Sequence, residues 1–198
     1  MTSTSSRRWG RGGVAAVCTA LVATPLALTA PASAAAPSHL VISEVYLNGG
    51  STGATYKNKY VELYNPTATA VDVSTMSLQY RSATGTSGTS TTVPLTGSVP
   101  AHGYYLVQGA ANGTAPAGAD LPTPDVTSSF GPSGTAGTIV LANQRTALTA
   151  TDLPVGNNAG NTKVVDLLGY GTSNTFETTA DEGGNSVTAS LDLSLIHI

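Results

Sequence analysis

The sequence predicts an all-β domain, an antiparallel sandwich or small barrel of about eight short strands. Three observations predict it. Runs of β-branched and aromatic residues recur at short intervals, separated by Gly, Pro, Asn and Ser turns, in a chain with 22 glycines and 11 prolines. Nowhere do apolar residues repeat with the 3.6 period of an amphipathic helix. The only cysteine, Cys18, lies near the N-terminus, so the remainder must be held by packing rather than by disulfides. Irregular spacing between the strands argues against a stacked β-helix.

The N-terminus reads as a cleaved signal peptide over residues 1–34. Arg7, Arg8 and Arg11 supply the basic region, residues 14–30 an uncharged apolar core, and Ala32-Ser33-Ala34 a small-x-small cleavage pattern. Thr19, Thr24 and Pro25 interrupt that core, which falls short of the roughly 20 apolar residues of a membrane span. Export is therefore expected to leave a secreted, extracellular protein with no transmembrane anchor. Ser6-Arg7-Arg8 also suits twin-arginine export, although Gly10 stands where such signals carry a large apolar residue. Beyond residue 34 there are five lysines and arginines against eleven acids, a balance of −6. That charge lacks the basic footprint of phosphate recognition and disfavours tight nucleic-acid binding.

After a short leader at 35–39, residues 40–47 form the first expected strand. Simple alternation puts Val41, Val45 and Leu47 on one face and Leu40, Ile42, Glu44 and Tyr46 on the other. Residues 48–53 are a Gly-rich loop without a P-loop motif or a following helix, hence an inter-strand turn rather than a phosphate cradle. Residues 59–64 form a second strand, placing Tyr60 and Tyr64 on one face, and 70–73 a short third. Over 76–81, Met76, Leu78 and Tyr80 alternate with Ser77, Gln79 and Arg81, which predicts one buried face and one wet face. Residues 82–90 read as a mobile Ser/Thr/Gly loop. Strand character returns at 91–95, where Pro94 marks an edge position or a strand end, then at 104–108, 125–130, 138–142 and 163–168. The segments 110–124 and 146–161 read as loops, the first because Pro116, Pro122 and Pro124 forbid a helix. Residues 186–198 suit a last strand, but the apolar ending at 195–198 suggests a truncated reading frame, so 191–198 is a doubtful tail.

Few residues point to chemistry. Glu44 and Glu62 lie in strands that can be neighbours, with Asp72 close in sequence. These three are the weak metal candidates, since calcium needs six or more oxygen ligands. Acids at sheet edges that accept backbone bonds or discourage aggregation explain the same residues. His39, His102 and His197 form no ligand spacing, and the sequence has no G-x-S-x-G elbow. No cofactor is implied. Eight tyrosines supply most of the aromatic surface, as core residues or as a platform for sugars or bases. Asn112-Gly113-Thr114 is a formal glycosylation acceptor.

Five blocks in order, LVISEVYLNGG at 40–50, YKNKYVELYNPTATAVDVSTMSLQYRS at 56–82, VPAHGYYLVQ at 99–108, SGTAGTIVLAN at 133–143 and VVDLLGYGTSNTFE at 164–177, together resemble the lamin-tail domain in its bacterial secreted form. The resemblance covers about residues 40–190 and implies an immunoglobulin-like β-sandwich. Glu44 matches the family's acidic position in the first strand, and Glu62, Leu63 and Asn65 its E-L-x-N core. Gly103 and Gly137 match later turn-into-strand blocks. By resemblance these are fold markers rather than catalytic residues. The family implies a non-catalytic module of secreted or surface polypeptides, and with the export signal, all-β pattern and low charge the expectation is a secreted module for binding, adhesion or targeting, its partner an unknown extracellular polymer or surface component. The alternative is an N-terminal accessory domain of a truncated extracellular metal-dependent nuclease or phosphoesterase, the catalytic domain lying downstream. The family's usual continuation after residue 190, an Arg and an acidic, Asn-containing segment, is not found here, which supports truncation.

Overall fold

The computed structural model describes residues 37–178, 180 and 186–193. The signal-peptide reading at 1–34 and the apolar ending at 195–198 lie outside these residues. Among the described residues there are thirteen strand segments: β1 (Val41–Tyr46), β2 (Tyr60–Tyr64), β3 (Val71–Asp72), β4 (Ser77–Ser82), β5 (Thr91–Pro94), β6 (Ser98–Val99), β7 (Tyr104–Gln108), β8 (Val126–Thr127), β9 (Gly137–Ala142), β10 (Gly156–Asn157), β11 (Val164–Tyr170), β12 (Thr175–Phe176) and β13 (Leu191–Asp192). The expectation of about eight strands undercounts because β6, β10 and β12 are two-residue pairings too short to leave a pattern. Two open sheets dominate, ordered β13-β1-β2-β7-β8 and β11-β9-β4-β5, with two-stranded pieces β10-β12 and β3-β6 beside them. The result is a two-sheet sandwich, broadly immunoglobulin-like. Pairing is mostly antiparallel, but β7-β8 and β10-β12 are parallel, which corrects the purely antiparallel expectation. Pro94 ends β5, an edge strand whose outer side needs no donor.

The core lies between the large sheets. Ile42, Val45, Val61, Leu63, Tyr105 and Val107 from one sheet meet Leu78, Val93, Ile139, Leu141, Leu168 and Tyr170 from the other. Each fully buried aliphatic side chain contributes about 1.5–3 kcal/mol. Tyr105 also closes a corner: its hydroxyl donates to the Thr96 carbonyl at 2.8 Å and accepts the Thr96 N–H at 3.2 Å. This resembles the tyrosine corner of immunoglobulin-like sandwiches.

Three sequence expectations fail here for definable reasons. In β1 the register shifts between Ile42 and Glu44, a bulge at Ser43. The extra residue puts Ile42 and Val45, which alternation assigns to opposite faces, together in the core, and turns Glu44 outward. In β4 the face expected to be wet is buried: Ser77 and Gln79 are 0% exposed and Arg81 2%. The segment after β9 lies over it. Leu148 and Leu153 pack there with Val140, Ala142 and Leu167 in a second apolar cluster. The polar side chains of β4 serve as rungs for that loop. Ser77 Oγ donates to the Gln144 carbonyl at 2.5 Å, Gln79 Nε2 to the Thr146 carbonyl at 2.9 Å, and Arg81 Nη1 to the Leu153 carbonyl at 2.6 Å. A loop without secondary structure thereby satisfies its backbone groups. The Ser/Thr/Gly loop expected to be mobile is held as well, by Arg81 Nη1 on the Ser87 carbonyl at 3.2 Å and by Thr89 N–H on the Leu148 carbonyl at 2.9 Å.

Candidate functional site

The outward face of the five-stranded sheet gathers Glu44, Glu62 and four of the eight tyrosines. On β2, Tyr60, Glu62 and Tyr64 point outward while Val61 and Leu63 enter the core. Strand register sets Glu44 directly opposite Glu62, Tyr46 opposite Tyr60, and Tyr64 opposite Tyr104. Rows of tyrosine thus flank a row containing the two carboxylates and Leu106.

At one end the rings are covered. Tyr46 and Tyr60 stack with centroids 5.6 Å apart, Tyr56 meets each edge-on at 5.9 Å, and Ala54 and Leu121 close over them. Tyr46 hydroxyl donates to the Val187 carbonyl at 2.5 Å. Tyr60 hydroxyl donates to Glu44 Oε1 at 2.6 Å, and Ser190 Oγ donates to the same oxygen. Burial, and then the hydrogen bond and charge of Glu44, raise the Tyr60 phenol above its ordinary range. Glu62 Oε1 accepts from Ser43 Oγ at 2.9 Å. The bulged serine therefore fixes the second carboxylate while the bulge itself aims the first.

The third metal candidate stands apart. Asp72 is exposed on β3, which pairs with β6, and its carboxylate accepts the Ser74 N–H at 2.8 Å, which holds it below the usual carboxylate range. The structure brings Glu44 and Glu62 together and leaves Asp72 elsewhere. Among the described residues no group of three or more His, Cys, Asp or Glu is placed to hold a metal ion.

Three of the family-type positions, Leu63, Asn65 and Gly137, are held by packing and hydrogen bonds. Leu63 is core. Asn65, 0% exposed, donates through Nδ2 to the carbonyls of Thr69, Val99 and Pro100 at 2.8–3.1 Å and accepts through Oδ1 from Thr67 N–H and hydroxyl. It joins the end of β2 to the turn before β7, where the Gly103 carbonyl accepts the Asn65 N–H at 2.9 Å. Gly137 lies under Tyr80, whose ring would stand 2.5 Å from any Cβ there.

A second acid pair escaped the sequence reading. Asp166, 1% exposed, shares strand parity with the core residues Leu168 and Tyr170, and its Oδ2 accepts the Ile42 N–H of the opposite sheet at 2.5 Å. Burial pushes its carboxyl well above the ordinary value, and neighbouring Glu177 adds to this, while the N–H groups of Ile42 and Leu167 oppose it. Glu177 lines a shallow cleft of about 380 Å³ with His39, Asn158, Gly160, Asn161, Val164 and Val165. A lone carboxylate within the apolar run VVDLL was the available signal.

Comparison with known families matches residues 33–172 to the Lamin Tail Domain. No curated protein matches the chain. The match spans well over half of the 198 residues. Together with the sandwich it makes the conclusion plain: this chain belongs to the lamin tail domain family, a family of non-catalytic β-domains.

Proposed function

We propose that the protein is a secreted binding module, exported by its N-terminal signal and used outside the cell for adhesion or for targeting a larger polypeptide to a surface polymer. The observation that carries this reading is the contrast between the two outward sheet faces. The β4-β9 face is covered by the chain's own loop, with polar rungs and a second apolar cluster. The far end of the other face carries Tyr104, 59% exposed, against the half-buried Tyr64. An accessory role ahead of a metal-dependent nuclease or phosphoesterase is the form this reading takes in a longer bacterial polypeptide.

Expression of the full chain in a bacterial host, with mass spectrometry of the protein in the medium, tests the first half. A species beginning at residue 35 is expected, and an intact N-terminus retained inside the cell refutes export. Sedimentation of the purified secreted protein with washed bacterial cell envelopes tests the second half, and a protein left wholly in the supernatant refutes surface binding.

A further inference from the structure

Tyr104 is the most exposed large apolar side chain among the described residues. It does not stand alone. Its ring lies 4.9 Å from that of Tyr64 with 36° between the planes, so the two rings form a tilted stack across β2 and β7, a platform whose exposed member is Tyr104. The next outward row holds Glu62 and Leu106. Glu62 is oriented by Ser43 Oγ, and beside Leu106 the carboxylate of exposed Asp125 is fixed by the Leu106 N–H at 2.7 Å. The outward residues of β1, β2 and β7 include no lysine or arginine: they are tyrosines, Glu44, Glu62, Leu106 and Gln108, with Val41 at the start of β1.

We infer that the Tyr64–Tyr104 platform is a glycan-binding site that takes a neutral hexopyranose polymer, with the apolar face of a sugar ring lying on Tyr104 and sugar hydroxyls donating to Glu62 and Asp125. The assignment rests on the binding-module reading and supplies its ligand class. A pyranose presents axial C–H bonds on one face and a rim of hydroxyl donors. The platform offers an open π-face and, beside it, pre-oriented acceptors. The same carboxylates repel phosphate, sulfate and uronate groups, which separates this ligand from nucleic acids and acidic polysaccharides. Because the acceptors are already held by Ser43 and by the Leu106 N–H, little side-chain freedom is lost on binding.

Native affinity electrophoresis of the secreted full chain in gels containing hydroxyethylcellulose, glycol chitin, polygalacturonate or poly-lysine tests the site. Retardation by at least one of the two neutral polymers is expected, and none by polygalacturonate. Tyr104→Ala should weaken the neutral-polymer affinity about 3- to 10-fold, the equivalent of an aromatic contact. Val155→Ala, at another exposed apolar residue, should change nothing. Failure to bind either neutral polymer, retardation by poly-lysine alone, or unaltered affinity in Tyr104→Ala overturns the assignment. A protein that sediments with cell envelopes yet ignores both neutral polymers leaves the module reading standing without this ligand. One that does neither removes both.

Discussion

Gln79 offers a sharp test of how the second sheet holds its covering loop. Its side chain is 0% exposed and uses its full hydrogen-bonding capacity. Nε2 donates to Ser77 Oγ at 2.8 Å and to the Thr146 carbonyl at 2.9 Å, and Oε1 accepts from Thr89 Oγ1 at 2.6 Å and from the Leu148 N–H at 2.9 Å. Replacing it by leucine removes four bonds of about 0.5–1.5 kcal/mol each. Two losses are softened, because the Thr146 carbonyl also accepts from Gln144 and the Leu148 N–H also reaches Thr89 Oγ1. The buried leucine recovers part of the remainder through apolar transfer. A net cost of about 2–4 kcal/mol follows for Gln79→Leu. Urea unfolding followed by far-ultraviolet circular dichroism measures it as a midpoint lowered by about 1–2 M at unchanged slope. Gln79→Glu is the companion: it keeps Oε1 but turns Nε2 into an oxygen facing the Thr146 carbonyl. Its deficit at pH 7 should shrink as acid protonates the carboxylate. A cost below about 1 kcal/mol in Gln79→Leu, with no pH dependence in Gln79→Glu, would show that the loop is held by its leucines alone.

Three further outcomes are expected. Asp166 has a folded-state pKa above its unfolded value, so its contribution to stability is complete below about pH 4 and is lost as pH rises through the folded pKa, at up to about 1.4 kcal/mol per unit. Urea midpoints of Asp166→Asn between pH 4 and 8 should therefore fall less with rising pH than those of the parent, and parallel curves would refute the buried-acid argument. Glu44→Gln removes the charge that, after burial, raises Tyr60, so alkaline difference absorbance should show a tyrosine ionising at lower pH than in the parent. Gly88→Ala places a Cβ against the Leu148 carbonyl oxygen and should cost about 1–3 kcal/mol in thermal or urea unfolding, whereas a freely moving loop would absorb the methyl without loss.

The strands were legible where a pattern ran for four residues or more. β2, β7, β9 and β11 lie close to where β-branched and aromatic runs put them, and Pro94 marked an edge position or a strand end in β5. The bulge at Ser43 was not legible, since nothing local distinguishes VISEV with one residue looped out from VISEV in strict alternation. The buried polar face of β4 was hidden for another reason: Ser77, Gln79 and Arg81 read as solvent-facing until a loop some seventy residues later is laid over them. In the candidate site, the pairing of Glu44 with Glu62 could be anticipated from neighbouring strands, while the departure of Asp72 to a separate two-stranded sheet could not. The exposure of Tyr104 depends on which loops cover which end of the sheet. That is decided by tertiary packing, not by the YYLVQ run in which it lies.

The pairing of β13 with β1 has a mechanical consequence. The strands are antiparallel, with Leu191 opposite Val45 and Asp192 opposite Glu44, so the backbone entering at Leu40 and the backbone leaving at Leu193 depart from the same end of the pair. Tension between those two points opens the contact like a zipper, loading one hydrogen bond at a time, whereas shear would load all of them at once. The first bond under strain is Leu193 N–H to the Ser43 carbonyl, and as peeling proceeds Ser190 is drawn off Glu44. A pull well below that needed to separate β1 from β2 would thus strip β13, bare the edge of the sheet beside the bulge and leave the rest of the sandwich intact.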